Sequence, residues 1–172
     1  MNISLSGVEE EEISMTIDEY LLRLEKNLLM GSARWIADFT ESFRHYKIED
    51  TVWDMVVRGH MRGKGLFLSR IFAYLNLPDY QVACFVATRD LGDSDLRGLV
   101  KCIQGYMKDE ELDWCWLVLP KEGPFSSRLR AALEKIDYRE LGIALVDTST
   151  RQIFTNPSYV GQRLRDQVKC FR

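Results

Sequence analysis

The chain has 172 residues, long enough for one domain with a full hydrophobic core and too short for two comfortable ones. Its apolar fraction of 46% and charged fraction of 28% are those of a soluble globular protein, and no apolar run reaches the ~18 residues of a membrane span. A net charge of −3 excludes a global field that would draw in nucleic acid or an anionic membrane, so any such binding needs a local basic patch. With no signal peptide, a cytoplasmic location is expected.

Residues 1–15 carry GVEEEE and little to bury, which predicts a mobile acidic N-terminus, with one α/β domain over 16–172. Thr16-Ile17-Asp18-Glu19 has the form of a capping box, followed by Tyr20, Leu21, Leu24 and Leu28 at helical spacing. Gly31 ends that helix and Ser32 caps a second, predicted to carry Ile36, Phe39 and Phe43 on one face. The sheet is expected to begin with residues 51–57. A glycine-punctuated loop, RGHMRGKG, then leads into a strand over 66–75. Leu77-Pro78-Asp79 turns the chain into a third strand, 81–89, whose core from Val82 to Ala87 is apolar on both sides, as in a central strand covered on both faces.

Asp93 or Ser94 is expected to cap the following helix, with Leu96, Leu99, Val100, Ile103 and Met107 along one stripe. Residues 114–119 form another buried strand, Trp114 and Trp116 on one face and Cys115 opposite. Gly123-Pro124 opens a helix, 141–146 is a further strand, 151–155 a hairpin edge, and Asn156-Pro157 starts the last helix. The strands over 66–75 and 81–89 should pair antiparallel. Those over 82–88 and 113–119 should run parallel, because a helix joins them. The fold class is therefore α/β, a mixed sheet with helices on both faces. Cys84, Cys102, Cys115 and Cys170 are widely separated, and three of them sit in apolar patterns as small hydrophobes.

The element order, the passage Ala87-Thr88-Arg89-Asp90-Leu91 into a helix ending Gln104-Gly105-Tyr106, the strand WLVLP and the late LGIALVD together resemble the PD-(D/E)XK, or restriction-endonuclease-like, nuclease superfamily over residues 16–170. The resemblance implies an α-β-β-β-α-β core. It also implies a site in which an acid on the second strand and an acid-x-Lys on the third hold Mg²⁺, which acidifies a bound water. Here that pattern is empty: Ala87 or Val86 stands where the acid belongs, Arg89 or Thr88 where the lysine belongs, and SRIFAYL has no carboxylate.

The expectation is thus a pseudoenzyme, a non-catalytic recognition or scaffold module for nucleic acid or a protein partner, without a metal. The alternatives are a Mg²⁺-dependent nuclease with a site relocated to Asp79 and Asp90, and a homo-oligomer using its aromatic-rich strands or N-terminal helices as interface. Asp79 also suits a tight turn. The candidate nucleic-acid residues are Arg58, Arg62, Lys64 and Arg70 on the 58–70 hairpin, with Arg89; the other reading of that hairpin is a solvated tip whose charges protect a strand edge. His45 and His60 have no partner at the spacing of a hydrolase triad.

Overall fold

The computed structural model describes residues 15–61 and 81–171. Helix α1 (Ile17–Met30) is followed by a 3₁₀ turn (Ser32–Trp35) and the long strands β1 (Ala37–Ile48) and β2 (Thr51–Met61). Then come β3 (Val82–Val86), α2 (Asp93–Asp109), β4 (Trp114–Lys121), α3 (Ser127–Glu134), β5 (Leu141–Asp147), β6 (Gln152–Thr155) and α4 (Tyr159–Gln167). The six strands lie side by side in chain order. β1–β2, β2–β3 and β5–β6 pair antiparallel; β3–β4 and β4–β5 pair parallel, each across a helix. The protein is α/β, with a mixed sheet between two helical layers. Leu24 and Leu28 of α1 and Leu164 of α4 pack on one face; Leu96 and Ile103 of α2 and Leu129 and Leu133 of α3 pack on the other. Among the described residues, no helix is long and apolar enough to cross a membrane.

The first helix forms as its sequence predicts. Thr16 Oγ1 accepts from the Glu19 amide at 3.3 Å, Glu19 Oε2 accepts from the Thr16 amide at 3.2 Å, and Tyr20, Leu21, Leu24 and Leu28 are buried. Met15, assigned to a mobile tail by composition, is buried in the core; residues 1–14 lie outside the described residues.

The second predicted helix is a strand. Phe39 and Phe43, four residues apart, fit one face of a helix, but on the strand they face opposite ways: Phe39 packs on Trp116 in the α1 layer, and Phe43 faces Arg58, which also meets Tyr106 of α2. Pairing with β2 from Ala37↔Met61 to Ile48↔Thr51 decides for the strand, because it satisfies the backbone groups of both chains over their whole length. The sheet therefore begins at Ala37 rather than Thr51. The register slips between Phe39 and Glu41, where Gly59 lies opposite: a Cβ there would stand 2.6 Å from the Phe39 Cα. A second irregularity falls at Asp54. Trp53 faces α2 and Met55 faces α1, although they are two residues apart, and His45 opposite has φ 51°.

The predicted strand over 66–75 lies outside the described residues. Its predicted antiparallel pairing with the third strand lies outside them too; in the described residues β3 has β2 on one edge (Val57↔Cys84) and β4 on the other (Cys84↔Trp116). The parallel pairing across α2 is present, and β3 is buried on both faces throughout. Caps sit close to their expected places but on other residues. Gly92 precedes α2 and its amide donates to Asp95 Oδ2 at 2.8 Å; Ser126 caps α3, and Ser158, rather than Asn156-Pro157, caps α4. As expected, Trp114 and Trp116 share one face, their ring centroids 4.9 Å apart and the rings tilted, and Cys115 packs into the opposite core.

Candidate functional site

Strands β3, β4 and β5 end together, and in an open α/β sheet the crevice beyond the carboxyl ends of parallel strands is where ligands gather. Among the described residues, four acids stand just past or beside these strand ends, apart from those of the β1–β2 turn and of the first turn of α2. Asp54, at the start of β2, accepts the Thr88 amide on Oδ2 at 2.7 Å. Asp90 is exposed and faces Lys121 Nζ at 3.4 Å, whose ammonium also lies 5.2 Å from the Phe125 ring centre. Asp147 is buried and accepts the amides of Gly123, Ser149 and Thr150 and the Thr150 hydroxyl. Burial pushes its carboxyl up, but these hydrogen bonds outweigh burial and hold it below the usual value. Glu122, the fourth, is exposed beside Lys121. Among the described residues no group of three or more His, Cys, Asp or Glu side chains is arranged to hold a metal ion. Asp79 lies outside the described residues, so the pair Asp79–Asp90 is not brought into view. Asp54 is the acid on the observed second strand. Sequence reasoning passed over it because it took 66–75 as that strand.

The basic residues divide differently from their sequence clustering. Arg58 does not sit on a solvated tip. It lies within β2, its guanidinium 4.8 Å from the Tyr46 ring centre, 5.3 Å from Phe43 and 5.4 Å from Tyr106, with Nη2 donating to the Tyr46 hydroxyl. Burial pushes the Tyr106 hydroxyl pKa up, with Arg58 opposing. Arg62, Lys64 and Arg70 lie outside the described residues. Arg89 is exposed after β3, near enough to the Cys102 thiol of α2 to act on its charge.

A different set of cations converges where α4 ends. Helix α4 begins beside the start of β5, since a Cβ on Gly142 would meet the Val160 carbonyl at 2.8 Å. It runs back about 13 Å toward the carboxyl ends. Its last turn meets the β5–β6 turn there. Arg151, Arg165 and Lys169 line a groove of about 710 Å³ floored in part by Ile153 and Phe171. Lys169 also lines a second groove of about 610 Å³ with Arg23 and Lys26 of α1. The two grooves share one residue and form a continuous track of five cations. The single acid on it, Asp166, sits 2.7 Å from Lys169 Nζ, which holds its carboxyl below the usual value. α1 is fixed to α4 there by the Asn27 side chain donating to the Gln167 carbonyl at 2.7 Å and by the Tyr20 hydroxyl donating to the Val168 carbonyl at 2.9 Å.

These residues are scattered along the chain at 23, 26, 151, 165 and 169, and no motif announces them. A coarse signal was present: residues 121–172 carry ten Lys and Arg against six Asp and Glu, a net of +4 in a chain of net −3. No protein-family model, curated protein or solved structure matches this chain.

Proposed function

We propose that this protein is a non-catalytic nucleic-acid recognition module, resembling a restriction-endonuclease-like domain whose metal site has been lost. The observation that carries the reading is the track from Arg151 through Arg165 and Lys169 to Arg23 and Lys26: two adjoining open grooves, long enough for several successive phosphates. Phe171 adds apolar ring surface against which a base can stack. Asp147 supports the non-catalytic half of the reading, because both its oxygens are taken up by the β5–β6 turn and the Gly123 amide. The test is fluorescence anisotropy with labelled single-stranded and duplex DNA and RNA over a salt series. Affinity should fall as salt rises, with a log–log slope shallower by roughly 0.7 for each track cation removed on a single strand. The double variant Arg165→Glu, Lys169→Glu should lose binding while keeping its melting temperature, since both side chains are exposed. Absence of binding at low salt, or binding unchanged in the variant, refutes the reading.

A second reading is a Mg²⁺-dependent nuclease with a relocated site. It is favoured by one observation: Asp54 on the second strand stands beside Thr88 at the end of the third, and Asp90 and Lys121 follow on the same edge. Metal-dependent cleavage that disappears in both Asp54→Asn and Asp90→Asn would establish it; intact substrate with Mg²⁺ and Mn²⁺ removes it.

A further inference from the structure

At the opposite end of the sheet, where β1, β3, β4 and β5 begin, the surface has another chemistry. A cleft of about 300 Å³ opens between the start of β4 and the first turn of α4, walled by Ile36, Trp114, Trp116, Tyr159 and Val160. Its rim holds two cations, Arg139 and Arg163, and two anions, Asp113 and Glu140. Arg163 lies over the Tyr159 ring and donates to its hydroxyl at 2.9 Å, which fixes that ring at the mouth. The end around it is apolar and exposed: Trp35 is 80% exposed, Tyr159 65% and Met61, paired with Ala37 at the start of β1, 47%. Trp, Tyr, Met and Arg are the residue types that protein interfaces favour, and among the described residues no lysine lines the cleft.

The rim decides what fits. A polyanion meets Asp113 and Glu140 as readily as the arginines, so this end does not continue the nucleic-acid track. A second copy of this chain related by a two-fold axis presents the same two cations and two anions in reverse order. A rim of balanced charge lets each copy's arginines meet the other's carboxylates around an aromatic centre, as an isologous interface requires. We propose that the chain forms a two-fold dimer through this cleft, with Trp114, Tyr159 and Trp35 in the buried centre and the four charged residues as its rim.

Analytical ultracentrifugation of the full chain tests this. Wild type should sediment at twice the mass of one chain at micromolar concentrations. Two rim variants are made, one all cationic (Asp113→Arg with Glu140→Arg) and one all anionic (Arg139→Glu with Arg163→Glu). Each should be a monomer with an unchanged circular dichroism spectrum, because like charges now face like. Mixed in equal amounts they should regain the dimer mass, which neither an unfolded variant nor an interface elsewhere would produce. A wild-type monomer overturns the proposal, as does a dimer that survives in both variants or a mixture that stays monomeric.

Discussion

At the scale of single residues, two polar side chains hold positions that their sequence neighbours do not explain. Arg58 is enclosed by Phe43, Tyr46 and Tyr106 and joins the β1–β2 hairpin to α2. Each cation–ring contact contributes about 0.5–1 kcal/mol, so Arg58→Ala should lower unfolding free energy by about 1–3 kcal/mol in urea titration, and lysine should restore only part of it. An unchanged melting temperature, as expected of an exposed hairpin charge, would contradict the enclosure. Asn156 is the other case. Its carbonyl accepts the Ile143 amide at 2.7 Å, and its amide donates to the Leu141 carbonyl at 2.9 Å and the Ile136 carbonyl at 3.0 Å. One side chain thus ties the end of α3, the start of β5 and the entry to α4. Gly161 belongs to the same knot, because a Cβ there would collide with the Asn156 side chain. Asn156→Ala leaves the Ile143 amide and the Ile136 carbonyl short of a partner, while the Leu141 carbonyl keeps the Ser158 hydroxyl at 2.8 Å, and should cost about 2–4 kcal/mol, read from the denaturation midpoint.

At the scale of elements, the β5–β6 turn depends on ionised Asp147. The hydrogen bonds from Thr150, Ser149 and Gly123 depress the folded pKa below that of the unfolded chain, which is about 3.9. Its contribution is therefore present above pH about 4 and is lost as pH falls through the lower folded value. Asp147→Asn should be less stable than wild type at pH 7. It should also lose less stability on acidification below pH 4, a difference that paired melting curves at pH 3 and pH 7 would resolve. Equal acid sensitivity in the two proteins would show that the turn does not need the charge. The cysteines bear on the same scale. Burial pushes the Cys84 and Cys115 thiols well up from their ordinary range, and Cys170 up to about 11. All three should react with a disulfide reagent only after denaturant is added.

At the scale of the whole molecule, one sheet serves two cores. β3 gives Val82, Cys84 and Val86 to the layer with α1 and α4, and Ala83 and Phe85 to the layer with α2 and α3. Neither layer keeps its apolar surface covered if the other lets go of the strands between them. Leu24→Ala and Leu96→Ala, on opposite faces and both fully buried, should each cost about 2–5 kcal/mol. Each variant should still unfold in one transition that is the same by tryptophan fluorescence and by far-ultraviolet circular dichroism. Two separated transitions would show that the layers fold apart.

The sequence by itself determined the class of fold, because the signals for it are local. The capping box at Thr16, the unbroken apolar run from Val82 to Ala87, the stripe on α2 and the alternation of Trp114 with Trp116 each carry their period within a few residues. The parallel pairing of β3 and β4 followed from the helix between them, a constraint of chain length rather than of side chains. What lay beyond it was decided by pairing across distance. Phe39 and Phe43 fit one face of a helix, and only the ladder to β2, with the slip that turns them to opposite faces, made residues 37–48 a strand. That one change renumbered the sheet, made Asp54 the acid on the second strand and moved Arg58 from a presumed tip into an aromatic enclosure. The cationic track and the aromatic cleft were illegible for the same reason. Each is assembled from residues more than a hundred positions apart, brought together at opposite ends of the sheet by the directions in which its strands and helices run.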